Sequence, residues 1–303
     1  MSWFDLHFQG RPNRIASALL TGPPGAALVD PGPSSCLPRL EEALADLGTG
    51  LDAVTHVLLT HIHLDHAGAV GTIVRRNPAV RVVVHLRGAP HLVDPAKLLQ
   101  SAGRLYGDDM DRLWGRCEPV PGESLVVVEG GESLPVAGRL LEVAYTPGHA
   151  SHHVSYFDRA IGVAWVGDTA GVCVGGGYVL PPTPPPDVDL ELWRDSLAVI
   201  ERWRPDSLFL THCGLIEQPR VHLQALAHNL DQAAAWVREL LDQPGTDDQR
   251  QAEFEDRLRR ELRRSMRDEL AADYESAAGF GLSWLGLARY WRKRPREAEP
   301  PKL

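Results

Sequence analysis

Three histidines and an aspartate fall within the six residues 61–66 of the stretch "THIHLDHAG". Neutral imidazole and carboxylate at this density are the donors that suit Zn²⁺, Fe or Mn. His61 and His63 follow the apolar run "VTHVLLT", and a spacing of two on extended backbone points both rings the same way. Asp65 and His66 come where the chain turns toward a helix. Four clustered polar side chains would each need a partner if buried, so a shared cation is the reading this cluster supports.

Three further segments repeat the pattern. "YTPGHASHH" sets His149 after a strand and a Pro-Gly turn, "WVGDTAG" sets Asp168 after a strand and a glycine, and "FLTHCG" sets His212 after another strand. Each donor lies within two residues of a glycine, where backbone can approach closely. His152 and His153 read as strand residues, one facing inward and one outward. Cys213 would point away from His212 and is not counted as a ligand.

The elements that must carry these donors are legible in outline. "ASALLTGPPGAALVDPG" reads as two strands joined by the "GPPG" turn, and "PRLEEALADLG" as a helix with a glycine stop. "RVVVHL", "SLVVVEG", "RLLEVAYT", "HHVSYFD", "IGVAWVGD" and "SLFLTH" read as strands, whereas residues 90–117 read as helical pieces. The proline run "PPTPPPD" (181–187) suits neither helix nor central strand and is expected to be a rigid surface connection. "LELWRDSLAVIERW" is an amphipathic helix. "GVCVGGGYVL" (171–180) lacks the Lys-Ser/Thr of a phosphate loop and reads as a flexible loop over the site. Beyond about residue 220 the pattern turns all-helical, and "GFGLSWLGLARYWRKR" carries too many large apolar residues to stay in water. The expected organisation is a catalytic domain over residues 1–220 and a helical C-terminal region over 221–303. That region would pack on the domain or on a partner subunit.

Bulk properties narrow the class. The 303 residues are 44% hydrophobic and 23% charged, with a formal charge of −9; this balance argues against nucleic acid, which is bound through Lys and Arg. No apolar run reaches bilayer-spanning length, and the opening "MSWFDLHFQGRPNR" lacks a signal peptide's apolar core. Four scattered cysteines without a C-x-x-C pair read as reduced thiols, so a cytoplasmic protein is expected. There is no G-x-S-x-G elbow for a serine nucleophile.

The H-x-H-x-D-H motif, the T-P-G-H turn, the G-D-T step and the terminal T-H-C-G, in this order over roughly residues 1–220, resemble the metallo-β-lactamase superfamily, nearest its glyoxalase II-like and lactonase-like branches. Asp30 in "LVDPG" resembles that family's early aspartate, which supports the site without binding metal. The resemblance implies an α/β fold, an αβ/βα sandwich with the metals at one edge, here with an added C-terminal helical region. It also implies two divalent ions, zinc first, with iron and manganese admitted by the donors. His61, His63 and His149 would hold one ion, Asp65, His66 and His212 the other, and Asp168 both. His63 stands where flavodiiron relatives carry Glu, and true β-lactamases usually lack an equivalent of Asp168.

The implied activity is metal-dependent hydrolysis of a small ester, thioester or lactone by a metal-bridging hydroxide, with Asp65 orienting the nucleophile. A phosphodiesterase of the same fold is one alternative; a mononuclear iron oxidoreductase resembling persulfide dioxygenases is another. His91, Tyr106, Trp114 and Tyr178 are the substrate-binding candidates. The expected partner is a small-molecule substrate, with no nucleic acid and no membrane, and the C-terminal helices are the candidate surface for a homodimer.

Overall fold

A computed structural model describes residues 1–294; the end of the basic tail lies outside the described residues. The chain builds two six-stranded sheets in succession. The first takes β1 (Ser2–Asp5), β2 (Ala16–Gly22), β3 (Gly25–Val29), β4 (Val54–Leu58), β5 (Arg81–His85) and β6 (Leu125–Val128), in that spatial order. The second takes β7 (Ser133–Val136), β8 (Arg139–Tyr145), β9 (Val154–Asp158), β10 (Val163–Trp165), β11 (Ser207–Leu210) and β12 (Gly214–Ile216), again in order. β3 to β6 are parallel, as is β10 with β11, and the remaining pairings are antiparallel.

Helices connect the parallel strands and cover the outer faces: α1 (Leu37–Asp46), α2 (Leu64–Ala67), α3 (Val70–Arg76), α4 (Ala89–Val93), α5 (Ala96–Tyr106), α6 (Met110–Trp114) and α7 (Leu190–Trp203). Four more follow: α8 (Pro219–Asp242), α9 (Asp247–Ser265), α10 (Asp268–Ala278) and α11 (Phe280–Lys293).

Strand alternation sorts the core into layers. Ala18, Leu20, Ala27, Val29, Leu58 and Val83 point between the sheets, where they meet Val143, Tyr156, Trp165 and Phe209 of the second sheet. Their neighbours Leu19, Leu28, Val57, Val82 and Val84 point outward onto α1 and α3. On the other outer face, Ala164, Leu208 and Leu210 lie under Trp193, Leu197 and Ile200 of α7. These α7 residues recur every three or four positions, and Asp189 caps the helix by accepting the Leu192 amide at 3.1 Å.

The C-terminal helices join this last layer. Leu226 and Leu230 of α8, Phe254 and Leu258 of α9, and Phe280, Trp284 and Leu287 of α11 are buried in the same continuous cluster. Each such side chain contributes roughly 1.5–3 kcal/mol through burial. The large apolar residues of "GFGLSWLGLARYW" are therefore covered within the chain. α9 is charged on its outer side and opens with a full capping box, Thr246 and Gln249 exchanging hydrogen bonds.

Two expectations are corrected. The proline run is not a surface connection along its whole length: Pro181, Pro182 and Thr183 are buried, the Pro182 carbonyl turned to His149 and the Thr183 hydroxyl donating to the Ser283 carbonyl of α11 at 3.2 Å. The 171–180 loop is likewise not free over the site: Val172, Cys173, Val174, Val179 and Leu180 are buried, and only the glycine tip is exposed. Among the described residues, no helix is long and apolar enough to cross a membrane.

Candidate metal centre

Every donor named above sits just past a strand, at one edge of the sandwich. β4 ends at Leu58 and the chain enters His61–His66, whose second half forms the short helix α2. β8 ends at Tyr145 and turns through Pro147 and Gly148 to His149; β10 ends at Trp165 and reaches Asp168; β11 ends at Leu210 and reaches His212. Glycines make these approaches feasible. Gly167 has φ +43°, and a Cβ there would stand 2.4 Å from Thr60 Oγ1 and 2.8 Å from His153 Nε2. Gly148, at φ +133°, would bring a Cβ within 2.4 Å of Trp193 Cα.

Two groups of donors result. In the first, His63 Nδ1 lies 2.9 Å from His61 Nε2 and 3.0 Å from His149 Nε2. In the second, His212 Nε2 lies 3.2 Å from Asp65 Oδ2 and 3.4 Å from Asp168 Oδ1, and His66 Nε2 lies 3.3 Å from Asp168 Oδ1 and 3.7 Å from Asp65 Oδ2. The other oxygen of Asp168, Oδ2, faces His149 Nε2 at 3.4 Å. One carboxylate thus spans both groups. Within each group, the donor atoms of His61, His63 and His149, or of Asp65, His66, Asp168 and His212, converge within 4.8 Å.

The rings are held from behind, which fixes the nitrogen each presents. Asp30, in left-handed backbone at φ +46°, accepts the Thr60 amide at 2.8 Å, the Thr60 hydroxyl at 2.7 Å and the Thr211 hydroxyl at 2.8 Å, and it pairs with His66 Nδ1 at 2.9 Å. His149 Nδ1 donates to the Pro182 carbonyl at 2.8 Å and His212 Nδ1 to the Arg14 carbonyl at 2.6 Å. α7 grips the same region: Trp193 Nε1 donates to the Thr169 carbonyl at 2.8 Å and Ser196 Oγ to the Pro147 carbonyl at 2.6 Å.

The two groups differ electrically. Burial, aided by the neighbouring imidazoles, holds His61 well below the ordinary imidazole value; burial and His149 bring His63 to about 4, and burial also lowers His149. Burial would lower His66 and His212 as well, but the carboxylates of Asp65 and Asp168 outweigh it and raise both. The converse holds for the acids. Burial opposes ionisation, yet His66 and His212 hold Asp65 at about 2, and His212, His66 and His149 hold Asp168 well below the carboxylate range.

This donor set fits a pair of metal ions. His66 Nε2 and Asp168 Oδ1 are buried and lack a hydrogen-bond partner among the described residues, as atoms meant for a cation would be. Three neutral imidazoles suffice for one ion, and two carboxylates offset much of the paired charge. The residues that flank the donors separate into two sets. Tyr106 lies close enough to Asp65 and Asp168 for both to reinforce the effect of burial in raising its pKa. Burial, with the neighbouring histidines and His91 adding to it, holds His152 well below the ordinary imidazole value. Trp114 is buried behind Tyr106, 5.0 Å between ring centroids. Tyr178 packs instead with the C-terminal helices, near Glu261.

His152 and His153 do not alternate along a strand as expected. Both precede β9 and both are buried: His152 stacks over His61 at 6.1 Å, and His153 Nδ1 sits 3.0 Å from Thr146 Oγ1 and 3.1 Å from Thr169 Oγ1. Side-chain period could not reveal this, since a tight turn rather than extended backbone carries them. The bracing carbonyls of Arg14 and Pro182 left no signal in the sequence, because any residue supplies a carbonyl.

Comparison with known proteins identifies the fold. A family model described as the metallo-beta-lactamase superfamily matches residues 10–212. A metallo-beta-lactamase fold-containing protein of Sulfurisphaera tokodaii is 30% identical over 169 residues, 55% of this chain and 63% of that protein. A hydroxyacylglutathione hydrolase of Synechococcus is 35% identical over 150 residues, 49% of this chain and 46% of the relative. The chain thus spans less than two thirds of the length of these relatives. Among solved structures, a metallo-beta-lactamase family protein of Thermus thermophilus superposes with a TM-score of 0.69 at 23% identity, over 92% of this chain and 88% of that one. With the match running from before β2 to His212 and enclosing every donor, the chain belongs to the metallo-beta-lactamase superfamily.

Proposed function

We propose that the protein is a dinuclear metal-dependent hydrolase of a small ester, thioester or lactone. The observation that carries this reading is Asp168, whose two oxygens face the two donor groups at 3.3–3.4 Å. His61, His63 and His149 would hold one ion, Asp65, His66 and His212 the other, and Asp168 both. Bound ions would supply an activated water and polarise the substrate oxygen.

The chain's own residues do the rest. Asp65 is ionised and the side chain is 22% exposed, so it can accept a hydrogen bond from incoming water and orient it for attack. Tyr106, kept neutral by burial and the nearby carboxylates, can donate its hydroxyl hydrogen to a substrate oxygen. His91 would be a second substrate contact. Membership of a superfamily made up mostly of metal-dependent hydrolases supports the reaction type, and relatives named hydroxyacylglutathione hydrolases support an acyl substrate. Zinc is our first choice of metal; iron is supported by a structural neighbour solved in a di-iron-bound form, with a TM-score of 0.54 at 23% identity.

The test is metal quantification on the purified chain joined to a screen of thioesters, esters, lactones and phosphodiesters. Two ions per chain with turnover of an acyl substrate is the expected result. One iron per chain with thiol-dependent oxygen uptake would replace the hydrolase with an oxidoreductase, and turnover of phosphodiesters alone would move the substrate class.

A further inference from the structure

His212 is the last of the seven donors in the chain, and two braces fix it. Its Nδ1 donates to the Arg14 carbonyl at 2.6 Å, and its own carbonyl accepts the Cys173 amide at 3.1 Å. Both braces lead to adjacent residues of α10. The Arg14 guanidinium, only 4% exposed, donates to Asp273 Oδ1 at 2.7 Å and to the Asp273 carbonyl at 2.6 Å. Arg11 donates to the same Oδ1 at 2.9 Å. Tyr274, fully buried, donates its hydroxyl to the Tyr178 carbonyl at 2.6 Å, and the same hydroxyl oxygen lies 3.9 Å from Cys173 Sγ.

We infer that Asp273 and Tyr274 of α10 are positioning residues for His212, Asp273 acting through Arg14 and Tyr274 through the 173–178 loop. Asp273 is the stronger of the two. It supplies both hydrogen bonds that Arg14's terminal nitrogens make, and Arg14 Nε has no partner among the described residues. A buried guanidinium deprived of its carboxylate is costly to keep in place and must shift toward water. The backbone that shifts with it carries the carbonyl aimed at His212. The C-terminal helices thereby reach the metal edge through Asp273, 259 positions from the arginine it holds, and through Tyr274, 96 positions from the carbonyl it holds. The inference rests on the proposed assignment of His212 to the second ion.

The full-length chain should be compared with its Asp273→Ala, Asp273→Asn and Asp273→Glu variants, and with Tyr274→Phe, by titration with Co²⁺ and by Co²⁺ absorption spectra. In Asp273→Ala one of two ions should bind about tenfold more weakly, at the lower end of the effect of losing an outer partner of a ligand. Its visible spectrum should change, the other ion should keep its affinity, and Asp273→Glu should recover most of the loss. Should Asp273→Ala not fold, Asp273→Asn keeps the shape and removes the charge, and the same selective weakening is expected. Unchanged constants in folded variants would overturn the inference while leaving the dinuclear reading intact. So would an equal weakening of both ions alongside a lowered Tm, which marks a merely structural role. A wild-type chain that binds a single ion would instead sink the dinuclear assignment and this inference with it.

Discussion

The two sheets contribute to the metal edge in different ways. The first delivers His61, His63, Asp65 and His66 from one loop after β4, with Asp30 after β3 holding Thr60 and His66 from within the same sheet. The second delivers His149, Asp168 and His212 from three separate strand ends, and their braces come from elsewhere: Pro182 for His149, Arg14 for His212. A compact loop needs one local support, whereas donors spread over three connections need long-range contacts to hold register. Charge divides the donors along a different line, with members of both sheets on each side. His61, His63 and His149 are neutral and ready for a cation, whereas His66 and His212 are paired with carboxylates.

The comparison can be broken most severely at Asp168, the one side chain facing both groups. Asp168→Ala should abolish uptake of a second ion and reduce affinity for the first, with activity lost beyond the roughly 100-fold expected for an outer partner. Equilibrium dialysis with metal analysis would measure it, and retention of two tight ions would contradict the shared role. Asp30→Ala comes next. It strands a buried amide, two hydroxyls and an imidazole N–H, so unfolding free energy should drop by on the order of 3 kcal/mol. Metal affinity should fall about 10–100-fold; denaturant titration reports the first effect.

A pH series sharpens the electrical contrast. A metal ligand must be neutral imidazole, and the carboxylates of Asp65 and Asp168 favour the protonated form of His66 and His212 in the metal-free chain, against the effect of burial. The second ion should therefore displace protons and weaken first as pH falls. The first, meeting His63 at about 4, should persist to more acid pH. Calorimetry in buffers of different ionisation enthalpy would detect proton release; equal release for both ions would remove the distinction. The smallest effects are expected at the flanking tyrosines. Tyr106→Phe should lower kcat/KM by about tenfold, the worth of one hydrogen bond of about 1.4 kcal/mol. Tyr178→Phe should leave it unchanged, because that ring packs with the C-terminal helices.

Much of this arrangement was legible in the chain itself, because apolar strands followed by His, Asp and Gly announce their own ends. The motif at His61–His66 needed no other information, and His149, Asp168 and His212 became legible once matched to it. What escaped notice lacked side-chain chemistry or length. β1, β7 and β12 are three or four residues long and lie at or beside sheet edges, too short for alternation to register. Pro181–Thr183 looked like surface by composition, yet the Pro182 carbonyl turns toward His149 and Thr183 packs against α11. The link from Asp273 to Arg14 joins two ordinary charged residues, whose pairing only the tertiary fold reveals.

The outer layer over the second sheet carries one more consequence. The family match stops at residue 212, but α7 lies in a single apolar mass with Leu226, Phe254, Trp284 and Leu287. Motif boundaries and folding boundaries are therefore different places in this chain. Trimming it to the recognisable portion would strip the apolar cover from α7, whose Trp193 and Ser196 grip the turns that carry the donors, so any change to the tail is also felt at the sandwich edge.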